Sequence, residues 1–198
     1  MAKKLVFRYG CMNSGKSLML AAVAFNYRER GQRVIVIKPT VDTKDANVVS
    51  RVGINLKVDW APSKDDFLVD YYERDLETSA EKIACILVDE AQFLTPDQVD
   101  ELLMFSTVED IPVLAYGLRT DFKTQAFPGA ARLLEVAHNI EELKTICRCG
   151  SKALFNARKI NGAFVNEGES VAIDGVEAEY ESLCAKCYLD QVVPIAAS

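Results

Sequence analysis

Residues Gly10-Cys11-Met12-Asn13-Ser14-Gly15-Lys16-Ser17 read G-x-x-x-x-G-K-S, and their flanks decide the fold. The preceding run LVFRY (5–9) predicts a strand. The following SLMLAAVAFNYRER (17–30) places Leu18, Ala21, Ala22 and Phe25 at helical spacing. A glycine-bearing turn between a strand and a helix is where this pattern has mechanical meaning. Its glycines let backbone N–H groups converge on phosphate oxygens, and the positive end of the next helix adds to the field. Lys16 is then expected to span the β and γ phosphates, with the Ser17 hydroxyl as a Mg²⁺ ligand. The bland alternative, a βα turn with a chance GKS, has to explain why both flanking elements are in place.

Working outward, Gly31 ends the helix and Val34–Ile37 is a run of branched apolar residues suited to a strand buried on both faces. Pro39 to Pro62 is polar and without period, so it is expected to be a partly ordered loop. Residues 65–82 read as an acidic helix. A third strand is expected at Ala84–Val88, then a helix capped by Thr95 with Pro96 at its first position and ending near Ser106. A fourth strand is expected at Val113–Tyr116. Strands alternating with helices indicate an α/β fold with a mainly parallel sheet covered on both faces. From about residue 143 the texture changes, and the tail lacks the apolar periodicity for another such layer. The expected division is 1–143 for the main unit and 144–198 for a small lobe.

At 198 residues and 49% hydrophobic, the chain supports one main core and an appendage. Its longest apolar runs fall far short of a membrane span, and the N-terminus lacks the pattern of a secretory signal, so a cytoplasmic location is expected. A net charge of −6 argues against a surface built to grip nucleic acid. Asp89 and Glu90 follow the strand ending in Ile86-Leu87-Val88, where phosphate-loop proteins keep an acid near the metal. Asp89 suits the metal or a metal-bound water; Glu90 suits a general base. Two acids that are merely solvated, or that cap the next helix, are the alternative.

Cys184-x-x-Cys187 has zinc-knuckle spacing, and Cys147-x-Cys149 supplies a second pair for a four-thiolate site. The one-residue spacer leaves free thiols or an incomplete site open. Cys11, Cys85, the single His138 and Trp60 carry no functional reading. Phe93, Phe122 and Phe127 cluster in sequence around the acids and the fourth strand, where they either stack on a flat base or fill core.

Together, GCMNSGKS, DEAQF, GLRTDFKTQAF and the cysteine pairs flanking a glycine-bearing loop resemble the type II thymidine kinases, over about residues 5–190. That resemblance implies a P-loop, RecA-like domain with a zinc-containing lobe that carries a lasso loop. It implies ATP-dependent phosphorylation of the 5′-hydroxyl of thymidine, with deoxyuridine as a second substrate, in pyrimidine salvage. ATP contacts are implied for Gly10, Cys11, Met12, Asn13, Ser14, Gly15, Lys16, Ser17, Asp89, Glu90, Ala91 and Gln92, and the general-base role for Glu90. Met12, Phe93, Leu118, Phe122 and Phe127 are implied to line the base pocket. The lasso contributes Val171, Ala172, Ile173, Asp174 and Gly175, with Tyr180 alongside. Asp42, Arg51 and Arg158 match positions near the phosphates or the metal. Mg-ATP, structural zinc, a homotetramer and feedback by thymidine triphosphate are further implications. Asp121 and Arg119 depart from the family's usual residues at the edge of the pocket. A helicase-like ATPase and a nucleotide-dependent switch are the competing readings of the same loop and acids.

Overall fold

The computed structural model describes residues 3–40, 47–49, 53, 55–169 and 178–193. In chain order the elements are β1 (Leu5–Tyr9), α1 (Lys16–Glu29), β2 (Arg33–Ile37), β3 (Asn47–Val49), β4 (Asn55–Lys57), α2 (Leu68–Thr78) and β5 (Ile83–Val88). A one-turn 3₁₀ helix (Ala91–Phe93), α3 (Pro96–Thr107), β6 (Val113–Gly117), α4 (Pro128–Val136) and β7 (Asn139–Glu142) follow. The chain continues with β8 (Phe155–Ile160), β9 (Ala163–Val165), β10 (Ala178–Leu183) and α5 (Ala185–Val192).

The main sheet has the order β2-β5-β6-β1-β7, and every neighbouring pair in it is parallel. Alternation along β2 explains why it must be covered twice. Ile35 and Ile37 enter one core with Phe7, Ile86, Val88, Leu102, Phe105 and Leu133, while Val34 and Val36 enter another with Leu20, Ala24, Leu87 and Tyr116. The first core lies beneath α3 and α4 and the second beneath α1. β1 is flanked by β6 and β7 and has no free edge, so the loop that leaves its end starts from a fixed point.

α3 starts as expected: Thr95 Oγ1 accepts from the Gln98 N–H at 3.2 Å and the Gln98 side chain returns the bond to the Thr95 N–H, a reciprocal capping box. Two stretches differ from the sequence reading. Within 39–62, the short antiparallel pair β3–β4 forms, and Trp60, 5% exposed, bridges to Ile37 at the sheet edge. Its N–H donates to Val36 and its carbonyl accepts from Lys38, so the indole closes the core against Tyr71. The sequence reading also lacked α4 and β7, which extend the main sheet to five strands.

The tail forms a separate three-stranded antiparallel sheet, order β10-β8-β9, capped by α5. Its small core joins Ala157, Leu183, Tyr188 and Val192 to Cys147, Cys184 and, from the phosphate-loop segment, Cys11. Among the described residues no helix is long and apolar enough to cross a membrane.

Candidate active site

Gly10 opens the loop at the end of β1. Its N–H donates to Gly117 on β6 at 3.2 Å, and a Cβ there would lie 2.5 Å from the Leu143 carbonyl and 2.5 Å from Ser14 Oγ. Glycine at this position is therefore a requirement of close approach. Gly15 is required for a different reason, since it sits at φ 82° immediately before α1. Lys16, 8% exposed, folds back so that Nζ donates to the Cys11 and Gly10 carbonyls at 2.8 and 3.2 Å. The ammonium is thus held at the concave side of the loop. Ser17 Oγ stands 3.5 and 3.4 Å from the two Asp89 oxygens, which brings the expected metal-binding pair together across the sheet.

Asp89 is 3% exposed and anchored through its N–H to the Ile37 carbonyl at 2.8 Å. Burial, and then the negative charge of Glu90, push its carboxyl up to about 6, against the pull of Lys38 and Lys16. Lys38, at the end of β2, is a member of this charge cluster that the sequence reading missed; its position directly after a strand was the available signal.

Glu90 adopts a left-handed conformation, φ 50° and ψ 38°, which turns the chain sharply into the 3₁₀ helix. Its carboxylate is held by Gln92, whose Nε2 donates to Glu90 Oε2 at 2.6 Å. The other end of the same amide accepts from the Leu118 N–H at 2.9 Å. Gln92 is 1% exposed, so one buried amide ties the acid to the end of β6. Two glycines make room for this: a Cβ at Gly117 would lie 2.7 Å from Gln92 Oε1, and one at Gly129 would lie 2.5 Å from the Leu94 carbonyl.

Beside the acids, Phe93 and Phe127 meet edge to face with centroids 5.4 Å apart, and Leu118 packs against the same cluster. Phe122 is 1% exposed, and one face of its ring carries the Arg158 guanidinium at 3.8 Å. Arg158 also donates from Nε to Tyr180 Oη at 2.9 Å and from Nη1 to the Glu169 carbonyl at 2.7 Å. Lys123 Nζ holds the adjacent Gly168 carbonyl at 2.9 Å. Two cations thus anchor the incoming end of the loop between β9 and β10. Asp121 organises its own turn, accepting from the Lys123 and Gln125 N–H groups at 2.9 Å each. Arg119 lies over the Tyr9 ring at 5.6 Å.

The four lobe cysteines converge. The sulfurs of Cys147, Cys149, Cys184 and Cys187 all lie within 4.8 Å of one another, with Cys149 and Cys184 at 3.6 Å. Zn–S bonds of about 2.3 Å in a tetrahedron need S–S separations of roughly this size, so the donor set fits a structural zinc. The one-residue spacer is accommodated because Gly150, at φ 86°, closes a turn in which its N–H donates to Cys147. Hydrogen bonds from the Ser151 hydroxyl and main chain, and then from Cys184 and Cys147, draw the Cys149 thiol down to about 6; bonds with Cys147, Cys149 and Cys184 hold Cys187 up to about 12. The lowered Cys149 thiol is thus disposed toward the thiolate form that zinc binds, whereas Cys187 would have to release its proton to the metal.

A sequence model of the family described as Thymidine kinase matches residues 3–188. The chain belongs to the thymidine kinase family. Among its relatives, a thymidine kinase of Legionella pneumophila (strain Paris) is 44% identical over 93% of this chain and 88% of that protein. The thymidine kinase of Enterobacteria phage T4 is 44% identical over 92% and 93% of the two chains. That of Ruegeria pomeroyi is 42% identical, covering 92% of each.

Within this thymidine kinase fold, the loop, the acids, the aromatic cluster and the cysteines expected from sequence all have described positions. Val171, Ala172, Ile173, Asp174 and Gly175 of the lasso, together with Asp42 and Arg51, lie outside the described residues. Arg158, expected near phosphate or metal, contacts Phe122, Tyr180 and the lasso stem. Asn156 and Ser182, which the sequence reading did not single out, both reach the phosphate loop.

Proposed function

We propose that this chain transfers the γ-phosphoryl group of ATP to the 5′-hydroxyl of thymidine, and of deoxyuridine, with Glu90 as general base. The observation that carries the reading is the Gln92 bridge, which ties the Glu90 carboxylate to the end of β6, next in sequence to Asp89, the acid that Ser17 of the phosphate loop faces. A base fixed in this way can take the hydroxyl proton as the sugar oxygen attacks phosphorus, while the ADP oxygen leaves on the opposite side. Lys16 is suited to turn from the loop carbonyls to the β and γ phosphates once they arrive. Ser17 and Asp89 would hold the magnesium ion, which when bound neutralises phosphate charge. With that ion in place Asp89 would be ionised.

Met12, Leu118, Phe93 and Phe127 are proposed to surround the base, with Phe122 and Tyr180 behind it and the 171–175 segment covering it. A snug methyl pocket read by main-chain groups favours thymine and uracil over cytosine and purines. We assign ATP binding to residues 1–143, and to residues 144–198 the exclusion of water, which would otherwise compete with the sugar hydroxyl. The four cysteines would hold a zinc ion that pins both ends of the covering loop.

The test is phosphate transfer by purified protein with Mg-ATP to thymidine, deoxyuridine, deoxycytidine and deoxyguanosine, with water as competing acceptor. Thymidine monophosphate is the expected main product. ATP hydrolysis that ignores thymidine, with no monophosphate formed, would refute the reading.

A further inference from the structure

Two buried polar side chains of the C-terminal lobe have no part in the chemistry above. Asn156 on β8 and Ser182 on β10 are direct partners in the antiparallel register, and they are 5% and 8% exposed. Both reach residue 12 of the phosphate loop. Asn156 Oδ1 accepts from the Met12 N–H at 2.8 Å, and Ser182 Oγ donates to the Met12 carbonyl at 2.7 Å. Those two groups belong to the peptide units on either side of the Met12 Cα, so the pair fixes the loop's direction both entering and leaving that residue. Beside it, the Cys11 side chain is packed into the lobe's own apolar core with Ala157, Leu183 and Tyr188.

This grip has a reason. The next residue, Asn13, sits at φ 65°, in the left-handed region that asparagine tolerates but most side chains avoid. Ser182 orients the peptide plane that enters Asn13 and so helps hold it there. The Met12 N–H, taken up by Asn156, is withdrawn from the set of amides that a phosphate could use. The lobe thereby selects which donors of the loop face a ligand.

We propose that Asn156 and Ser182 are a positioning pair through which the C-terminal lobe sets the phosphate-loop conformation and hence nucleotide affinity. The proposal rests on the phosphate-binding reading of the loop, not on the identity of the phosphoryl acceptor. Each contact is one hydrogen bond to a buried partner, so its loss is expected to weaken nucleotide binding about five- to tenfold. Since both bonds act on the same residue, the double variant should be weakened by less than the product of the single effects.

The experiment compares wild type with Asn156→Ala, Ser182→Ala, the double variant and Ser182→Thr, which retains the hydroxyl. A fluorescent ADP analogue is titrated against each full-length protein without thymidine. Hydrogen exchange at the Met12 amide is measured without any ligand, and KM for ATP, KM for thymidine and kcat are measured separately. Expected are faster Met12 exchange in Asn156→Ala, weaker ADP-analogue binding and raised KM for ATP in both alanine variants, and recovery in Ser182→Thr. Folded alanine variants with unchanged Met12 exchange and unchanged analogue affinity would overturn the proposal, as would an effect confined to KM for thymidine. Should Asn156→Ala fail to fold, Ser182→Ala and Ser182→Thr decide by the same criteria. A protein that binds the analogue yet makes no thymidine monophosphate would refute the kinase reading and leave the pair's test intact.

Discussion

Replacing Gln92 by leucine removes one buried amide that makes two bonds, and the two losses are read by different instruments. The Leu118 N–H, part-buried and now 2.9 Å from Oε1 of the 1%-exposed Gln92, would be left without its acceptor. An orphaned buried donor costs about 1–3 kcal/mol. For a chain of this size that corresponds to a fall in Tm of roughly 2–12 °C. The Glu90 carboxylate loses its 2.6 Å partner, a charge-assisted bond worth about 1.5–3 kcal/mol. If that bond is what keeps the base in its reactive direction, kcat should fall about 10- to 100-fold, with KM for ATP changing little. Scanning calorimetry measures the first loss and steady-state kinetics the second. Gln92→Glu separates them further: it keeps an acceptor for Leu118 but replaces the amide donor to Glu90 with a second carboxyl, so kcat should fall although the Leu118 bond is kept. A Gln92→Leu enzyme with lowered Tm and wild-type kcat would refute the argument that Gln92 positions the base.

Glu90→Gln should lower kcat by about 10²–10⁴ while leaving nucleotide affinity near wild type in an equilibrium titration. The Cys85 thiol, wholly buried in β5, is pushed up to about 12 by burial. Because the folded value lies above the unfolded one, the folded state holds this proton more tightly; the stability it contributes is complete below about pH 9 and drains away as pH rises toward 12. The apparent Tm should therefore fall between pH 9 and 11, and less so in Cys85→Ala measured against its own neutral-pH value. Freshly purified protein should carry about one zinc per chain, and Cys187→Ser or chelation should release it and expose the lobe to limited proteolysis before the main sheet. Zinc well below one equivalent in a fully active preparation would count against the four-thiolate site.

What could be read in advance follows from where the information resides. The phosphate loop and the Asp89-Glu90 pair are local patterns whose meaning is set by adjacent residues, so both were legible. β7 was not, because Asn139, Ile140 and Glu141 are exposed and Glu142 only half-buried; pairing with β1, rather than its own pattern, makes it a strand. β3 and β4 are three residues each and carry too short a period to register. The cysteine cluster was legible as composition, but whether a one-residue spacer could close depended on the left-handed turn at Gly150. Gln92 was expected at the nucleotide, and its bond to Glu90 two residues away was within reach of inspection. Asn156 and Ser182 carry no local signal at all, since their pairing depends on hairpin register and their target lies at the other end of the chain.

That last separation bears on how the protein is made. Met12 and its two partners are 144 and 170 residues apart. On the ribosome the glycines, Lys16 and Ser17 are synthesised well before the two side chains that hold Met12 between them. On the proposed reading a nascent chain carries the whole motif before its cradle is finished, and a chain arrested before Ser182 should retain ATP more weakly than the full-length protein.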